Sequence, residues 1–180
     1  MAMKDNDGLM IIRPATIYDI SSILDIITQS YQPYKNEIPP DGGFDTSAEA
    51  LSRLIEGNDS MVFIAVKDDC LVGVASGIKH EPYIYHLKLL FVSMTFQHQG
   101  IASDLLQTFE DKGREKGCRL FTSNYQTWAP WSRAFYYKNG YREYKDGDEA
   151  ECTLLKPSVE FRKKIGKLNN DYKCFIWKKA

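Results

Sequence analysis

Residues 87–116 read LKLLFVSMTFQHQGIASDLLQTFEDKGREK. The segment opens as an apolar strand, Leu87 to Val92, and crosses a polar turn whose only glycine is Gly100. It then becomes a helix with Ile101, Leu105, Leu106 and Phe109 along one face. A strand that feeds a helix through a tight turn leaves several backbone N–H groups unpaired at the helix start. Those donors, with the positive end of the helix dipole, make a site for a phosphate or diphosphate. Small residues at Gly100 and Ala102 let a ligand come close to the main chain. The dinucleotide fingerprint GxGxxG is absent, since His98 and Ser103 stand where it expects glycines. A plain strand-to-helix connection with no ligand is the competing reading of the same residues.

The pattern Gln97-x-x-Gly100-x-Ala102 resembles the acyl-CoA signature of the GNAT superfamily of N-acyltransferases, which has Gln or Arg, two residues, Gly, one residue, then Gly or Ala. The run-up Val92-Ser93-Met94-Thr95-Phe96 is similar to that family's approach to the turn, with Met94 where the family usually has Pro and His98 where it often has Gly. Neither departure removes a backbone donor. The resemblance implies an α+β chain with the GNAT fold, a mixed sheet of about seven strands flanked by helices on both faces.

The rest of the chain reads in the same order. Met10 to Arg13 is a short β-branched run, followed by Thr16-Ile17-Tyr18-Asp19 as a capped helix start. Ile20, Ile23, Leu24 and Ile27 predict a first helix to about Ser30. Thr46-x-x-Glu49 predicts the cap of a second helix that Gly57 stops. Met61–Val66 and Leu71–Ile78 read as a hairpin turning at Asp68-Asp69. After a turn at His80-Glu81-Pro82, a third strand runs from about Ile84 to Val92. Beyond the signature helix come a strand from Arg119, a helix from Trp131 to Asn139 closed by Gly140, a strand at Tyr141 to Lys145, and a last strand at Tyr172 to Lys178. The stretch from 146 to 170 is longer than the family's usual link between its last two strands. Phe161, Ile165 and Leu168 predict a short helix there, with Arg162, Lys163, Lys164 and Lys167 behind that face.

The 180 residues are 43% hydrophobic and 26% charged, which suits one globular domain spanning the chain. The polar start MAMKDNDG and the lack of a long apolar run predict a cytoplasmic chain with no membrane partner. Cys70, Cys118, Cys152 and Cys174 are widely spaced, with no metal-ligand pattern, so no metal is expected. From Lys156 onward eight Lys and Arg face two acids, while the first 155 residues carry 15 bases against 22 acids. An acidic body with a basic tail is unlike a nucleic-acid binder. Glu37, Asp41, Asp45 and Glu49 either favour a cationic amine electrostatically or form a solvated loop.

Several residue roles follow from the resemblance. Acetyl-CoA is the implied co-substrate, held between the fourth and fifth strands. Leu90, Phe91 and Val92 would bond the pantetheine arm by main chain, and Gln97, His98, Gln99, Gly100, Ile101, Ala102 and Ser103 would cradle the diphosphate. Phe135-Tyr136-Tyr137-Lys138-Asn139-Gly140-Tyr141 is similar to the family's second pattern, whose tyrosine falls on Tyr136 and commonly protonates the departing thiolate. The alternative for Tyr136 is a core aromatic. Ala129 and Ser132 replace the Asn and Ala often found upstream of it. The strand position where many members carry an acid is His86, a base matched to neutral pH or a strand histidine with no task. Glu81 through water is a further candidate. Tyr31 and Tyr34, with Phe44, form an aromatic wall over the acceptor amine or simply pack. The expected activity is acetyl transfer to a small-molecule or peptide amine by direct attack, with a homodimer admitted. A non-catalytic acyl-CoA sensor is the other reading.

Overall fold

The computed structural model describes residues 9–37, 47–164 and 173–180. Seven strands form one sheet in the order β1-β2-β3-β4-β5-β7-β6. The strands are β1 (Met10–Pro14), β2 (Ser60–Lys67), β3 (Cys70–Glu81), β4 (Ile84–Val92), β5 (Leu120–Gln126), β6 (Arg142–Glu143) and β7 (Lys173–Lys179). All neighbours run antiparallel except β4 and β5. The helices are α1 (Ile20–Tyr31), α2 (Ala48–Glu56), α3 (Ile101–Glu115), α4 (Pro130–Lys138), α5 (Asp148–Glu151) and α6 (Leu155–Lys164).

Local chemistry sets these bounds. Asp19 accepts from the Thr16 N–H at 2.7 Å and from Arg13 at 2.8 Å, fixing the entry to α1. The α2 cap is Ser47 rather than Thr46: its hydroxyl accepts from the Ala50 N–H at 3.1 Å, and Thr46 lies outside the described residues. Asp68 and Asp69 both take positive φ, as a two-residue hairpin turn requires. The turn after β3 falls at Pro82-Tyr83, two residues later than the sequence suggests, because β3 stays paired with β4 to Glu81.

One face of the sheet carries α3, with Leu105, Leu106 and Phe109 fully buried against Ala75, Tyr85 and Phe121. The other carries α1 and α2 through Ile23, Ile27 and Leu51 against Val62, Ile64 and Leu89. α3 reaches the sheet only because β3 has glycines beneath it. A Cβ on Gly77 would stand 2.5 Å from both the Phe109 ring and the His86 carbonyl. Gly77→Ala is therefore expected to cost about 1–3 kcal/mol of stability, the range for an overpacked core, which urea unfolding would read directly.

The long link also folds onto the second face. Leu155 and Val159 bury with Tyr144, Phe175 and Trp177. This corrects the helix expected there. Its inward stripe is Leu155, Ser158, Val159 and Arg162, at i, i+3, i+4 and i+7, and Phe161 is 49% exposed. Ile165 and Leu168 lie outside the described residues. Phe161 faces outward because Phe175 and Trp177 already fill the sheet surface and reward residues in register with Leu155. Among the described residues no helix is long and apolar enough to cross a membrane, and no His, Cys, Asp or Glu cluster fits a metal.

Candidate active site

β4 and β5 pair only from Ile84↔Leu120 to His86↔Thr122, although β4 runs on to Val92 and β5 to Gln126. Beyond His86 the two strands part. A bulge in β4 helps: Ser76 faces Leu89 and Gly77 faces Leu87, leaving Lys88 with no opposite residue. The extra residue reverses the alternation, so Tyr85 and Leu87 before it, and Val92 after it, share the α3 face while Leu89 takes the α1 face. The slot opens into a cavity of about 610 Å³.

Its floor toward α3 is the polar turn. Gly100 has φ 85° and His98 φ 62°, and Ser103 and Asp104 both donate to the Gly100 carbonyl, at 2.9 and 3.1 Å. The N–H groups of His98, Gln99, Gly100, Ile101 and Ala102 find no acceptor among the described residues. Five free donors at the head of a fifteen-residue helix are an arrangement that suits an anion. The Gln97 side chain turns back to donate to the Val92 carbonyl at 3.2 Å, so it pins the turn to the strand. Gln99 stands outside the cavity, and its side chain accepts from Lys67 at 3.3 Å. Leu90, Phe91, Val92, His98, Ile101, Ala102 and Ser103 all border the cavity.

Tyr136 rises from α4 into the parting of the strands. It is 7% exposed and borders the cavity, wedged edge-on between Phe135 and Tyr141 at 5.3 and 5.4 Å. Ser123 Oγ lies 3.1 Å from the Leu87 carbonyl and 3.4 Å from the Tyr136 oxygen. One hydroxyl hydrogen serves one acceptor, and the carbonyl contact is the shorter. With that hydrogen on the Leu87 carbonyl, the Tyr136 O–H either donates to Ser123 Oγ or turns toward the slot. Burial pushes its pKa up, and the Ser123 contact lowers it less, so the phenol stays protonated at physiological pH.

His86 stands apart from these residues. It is not in the cavity wall. Its Nδ1 is 3.0 Å from the Thr122 hydroxyl, and Arg162 Nη2 sits 3.1 and 3.2 Å from its two ring nitrogens. Burial first, then the charges of Arg162, His80 and Lys88, holds its pKa well below 6.5. A base whose folded pKa is depressed contributes stability that is complete above the unfolded value of about 6.5 and is lost as pH falls toward the folded value. Thermal stability is expected to fall below about pH 6.5, and His86→Gln to flatten that slope. Glu81 also lies off the cavity.

The cavity also has an aromatic wall, to which Tyr31 and Tyr34 contribute beside partners the sequence does not advertise. Tyr34 packs on Trp128 at 5.4 Å and on Trp131 at 4.9 Å, and Tyr31 meets Phe91 edge-on at 5.3 Å. Phe44 lies outside the described residues, as do Asp41 and Asp45. Glu37 and Glu49 are exposed and away from the cavity. Trp128, Trp131, Asn124 and Lys88, which also border the cavity, were not legible as such in the sequence. Two tryptophans within four residues beside Pro130 are the one signal that points to a built surface.

A model of the Acetyltransferase (GNAT) family matches residues 22–141. The chain belongs to that family. A search of curated protein sequences found no match. Solved structures share the fold at low identity. The PaiA N-acetyltransferase of Thermoplasma acidophilum, in complex with coenzyme A, is 18% identical with TM-score 0.75, covering 96% of this chain and 99% of its own. A GNAT-family acetyltransferase of Staphylococcus aureus Mu50 is 17% identical with TM-score 0.73, covering 95% and 99%. A ribosomal-protein-alanine N-acetyltransferase of Brucella melitensis is 18% identical with TM-score 0.67, covering 94% and 99%.

Proposed function

We propose that this chain is an N-acetyltransferase that moves acetyl from acetyl-CoA to a primary amine by direct attack in a ternary complex. The observation that carries the reading is the slot between β4 and β5, whose cavity is bordered both by the turn with five unpaired N–H donors and by Tyr136. The turn from His98 to Ala102, with Ser103 beside it, receives the diphosphate. Leu90, Phe91 and Val92 run beside the pantetheine arm, which lies where a neighbouring strand would pair. The thioester then falls in the slot near Tyr136.

The acceptor nitrogen attacks the thioester carbonyl carbon, forming a C–N bond. Collapse breaks the C–S bond, and the sulfur takes the proton of the Tyr136 hydroxyl. The amine must shed one proton, which balances the one that Tyr136 later recovers. The cavity wall holds no Asp or Glu among the described residues, so that proton leaves through water. His86, behind the wall, is a poor receiver for it: burial and the Arg162 charge hold its pKa well below 6.5, and its neutral ring already faces the Arg162 Nη2 donor. Tyr31 and Tyr34 flank the acceptor. The four free cysteines fit a reducing compartment, and we place the enzyme in the cytoplasm.

Thiol release from acetyl-CoA across a panel of amines tests this. Release that depends on an amine supports the enzyme. Thermal stabilisation by acetyl-CoA with no release for any amine would leave a cofactor-binding sensor instead.

A further inference from the structure

The described wall of the larger cavity carries charge of one sign. Lys88 and Lys138 line it, with no Asp or Glu. Lys88 occupies the β4 bulge and forms no ion pair among the described residues. Asp59 borders a smaller cavity that shares Lys88, but makes no such pair with it.

Asn124, on β5 across the slot, also lines the larger cavity. Its Oδ1 accepts from Arg162 Nη1 at 3.2 Å. That bond settles the amide: the oxygen faces the guanidinium, and the NH₂ with its two donors is left for the cavity. Asn124 Nδ2 donates to nothing among the described residues. Arg162 itself is an unusual cation. It lies over the Phe175 ring at 4.4 Å, its buried Nε has no partner, and no carboxylate pairs with it among the described residues. Burial lowers its pKa to about 10. A cation drawn from water without a counter-ion is held at a cost, and a bound anion would relieve it. A polycationic acceptor would instead add like charge beside Lys88 and Arg162.

Resting on the acetyltransferase reading above, we propose that the acceptor is an amine that also bears a carboxylate, of the amino-acid kind. Lys88 and the Asn124 NH₂ receive the carboxylate, and Arg162 is a positioning residue that orients the Asn124 amide and adds charge from behind. Tyr34, Trp128 and Trp131 give the acceptor's apolar portion a wall.

Matched sets test the idea: phenylalanine, phenylalaninamide and phenethylamine, and the same three forms of leucine and alanine. The carboxylate member is expected to show kcat/KM at least tenfold above its amide in the preferred set. Arg162→Gln is expected to remove that advantage mainly through KM, lowering the carboxylate member at least tenfold more than its amide, and to be partly rescued by Arg162→Lys. Calorimetry on protein loaded with CoA supplies a readout without turnover, with the N-acetyl amino acid binding at least tenfold tighter than its amide. Amides or simple amines acetylated as well as the carboxylates, or an Arg162→Gln protein with the ratio intact, overturn this inference alone. If acetyl-CoA binds and no amine releases thiol, the enzyme reading fails. The calorimetric ratio then decides on the carboxylate site by itself.

Discussion

Tyr136→Phe is expected to lower kcat by about 10²–10⁴-fold, the usual worth of a positioned general acid, while acetyl-CoA binds as before. The substitution removes one oxygen and keeps the ring that packs edge-on against Phe135 and Tyr141. The oxygen's contact with Ser123 is a loose 3.4 Å, so stability should change by less than about 1 kcal/mol. A free phenol is a weaker acid than a thiol, with reference pKa values of about 10 and 8.5. On the proposed mechanism, proton transfer to the thiolate relies on placement rather than on intrinsic acidity, and burial raises the phenol's pKa further. The loss should be largest with acetyl-CoA and smaller with a thioester whose leaving thiol is more acidic, since a better leaving group needs less help. Steady-state kinetics on the two thioesters checks this. An equal loss on both, or none, would remove Tyr136 from the chemistry and leave it a core aromatic.

Gly100 carries the second large effect. Its φ of 85° is a backbone that side chains rarely adopt, and a Cβ there would meet nothing within 4 Å. The constraint is conformational rather than one of space. Gly100→Val should cost about 1–2 kcal/mol of stability and rotate the donors of the turn. Acetyl-CoA affinity is expected to fall about 10- to 100-fold, the worth of one or two charge-assisted hydrogen bonds. Gly117 is the matched control. It has φ 83°, equal room around its Cβ, and a place at the far end of α3. Gly117→Val should bring the same strain with no change in coenzyme affinity. Calorimetric titration of both variants separates binding from stability. Equal losses of affinity would mean that the effect reaches the turn through the helix, not through the donors.

The fold could be read in the sequence because its signals are local. Period-two and period-3.6 apolar patterns place the strands from Met10 to Val92 and the helices around them, and Gly100, Gly117 and Gly140 mark turns by their positive φ. The turn proposed to hold the cofactor is equally local, since a strand, a turn and a helix start lie within twelve residues. The wall proposed for the acceptor is not. Asn124 and Arg162 meet across 38 residues, and His86 and Arg162 across 76, so neither contact leaves a spacing to find. The bulge at Lys88 is a property of pairing between β3 and β4 and has no signature in one strand. Arg162 shows the difficulty most plainly. In sequence it belongs to the charged side of a helix read from Phe161, Ile165 and Leu168. In the fold, the surface offered by Phe175 and Trp177 selects the Leu155–Val159 stripe and carries Arg162 inward.

A crystal structure of the protein with bound coenzyme A tests the central claim most directly. The account predicts diphosphate oxygens accepting from N–H groups between His98 and Ala102, with the sulfur between β4 and β5 beside the Tyr136 hydroxyl. A turn bare of phosphate, with the coenzyme held elsewhere or its path closed by side chains, would contradict it.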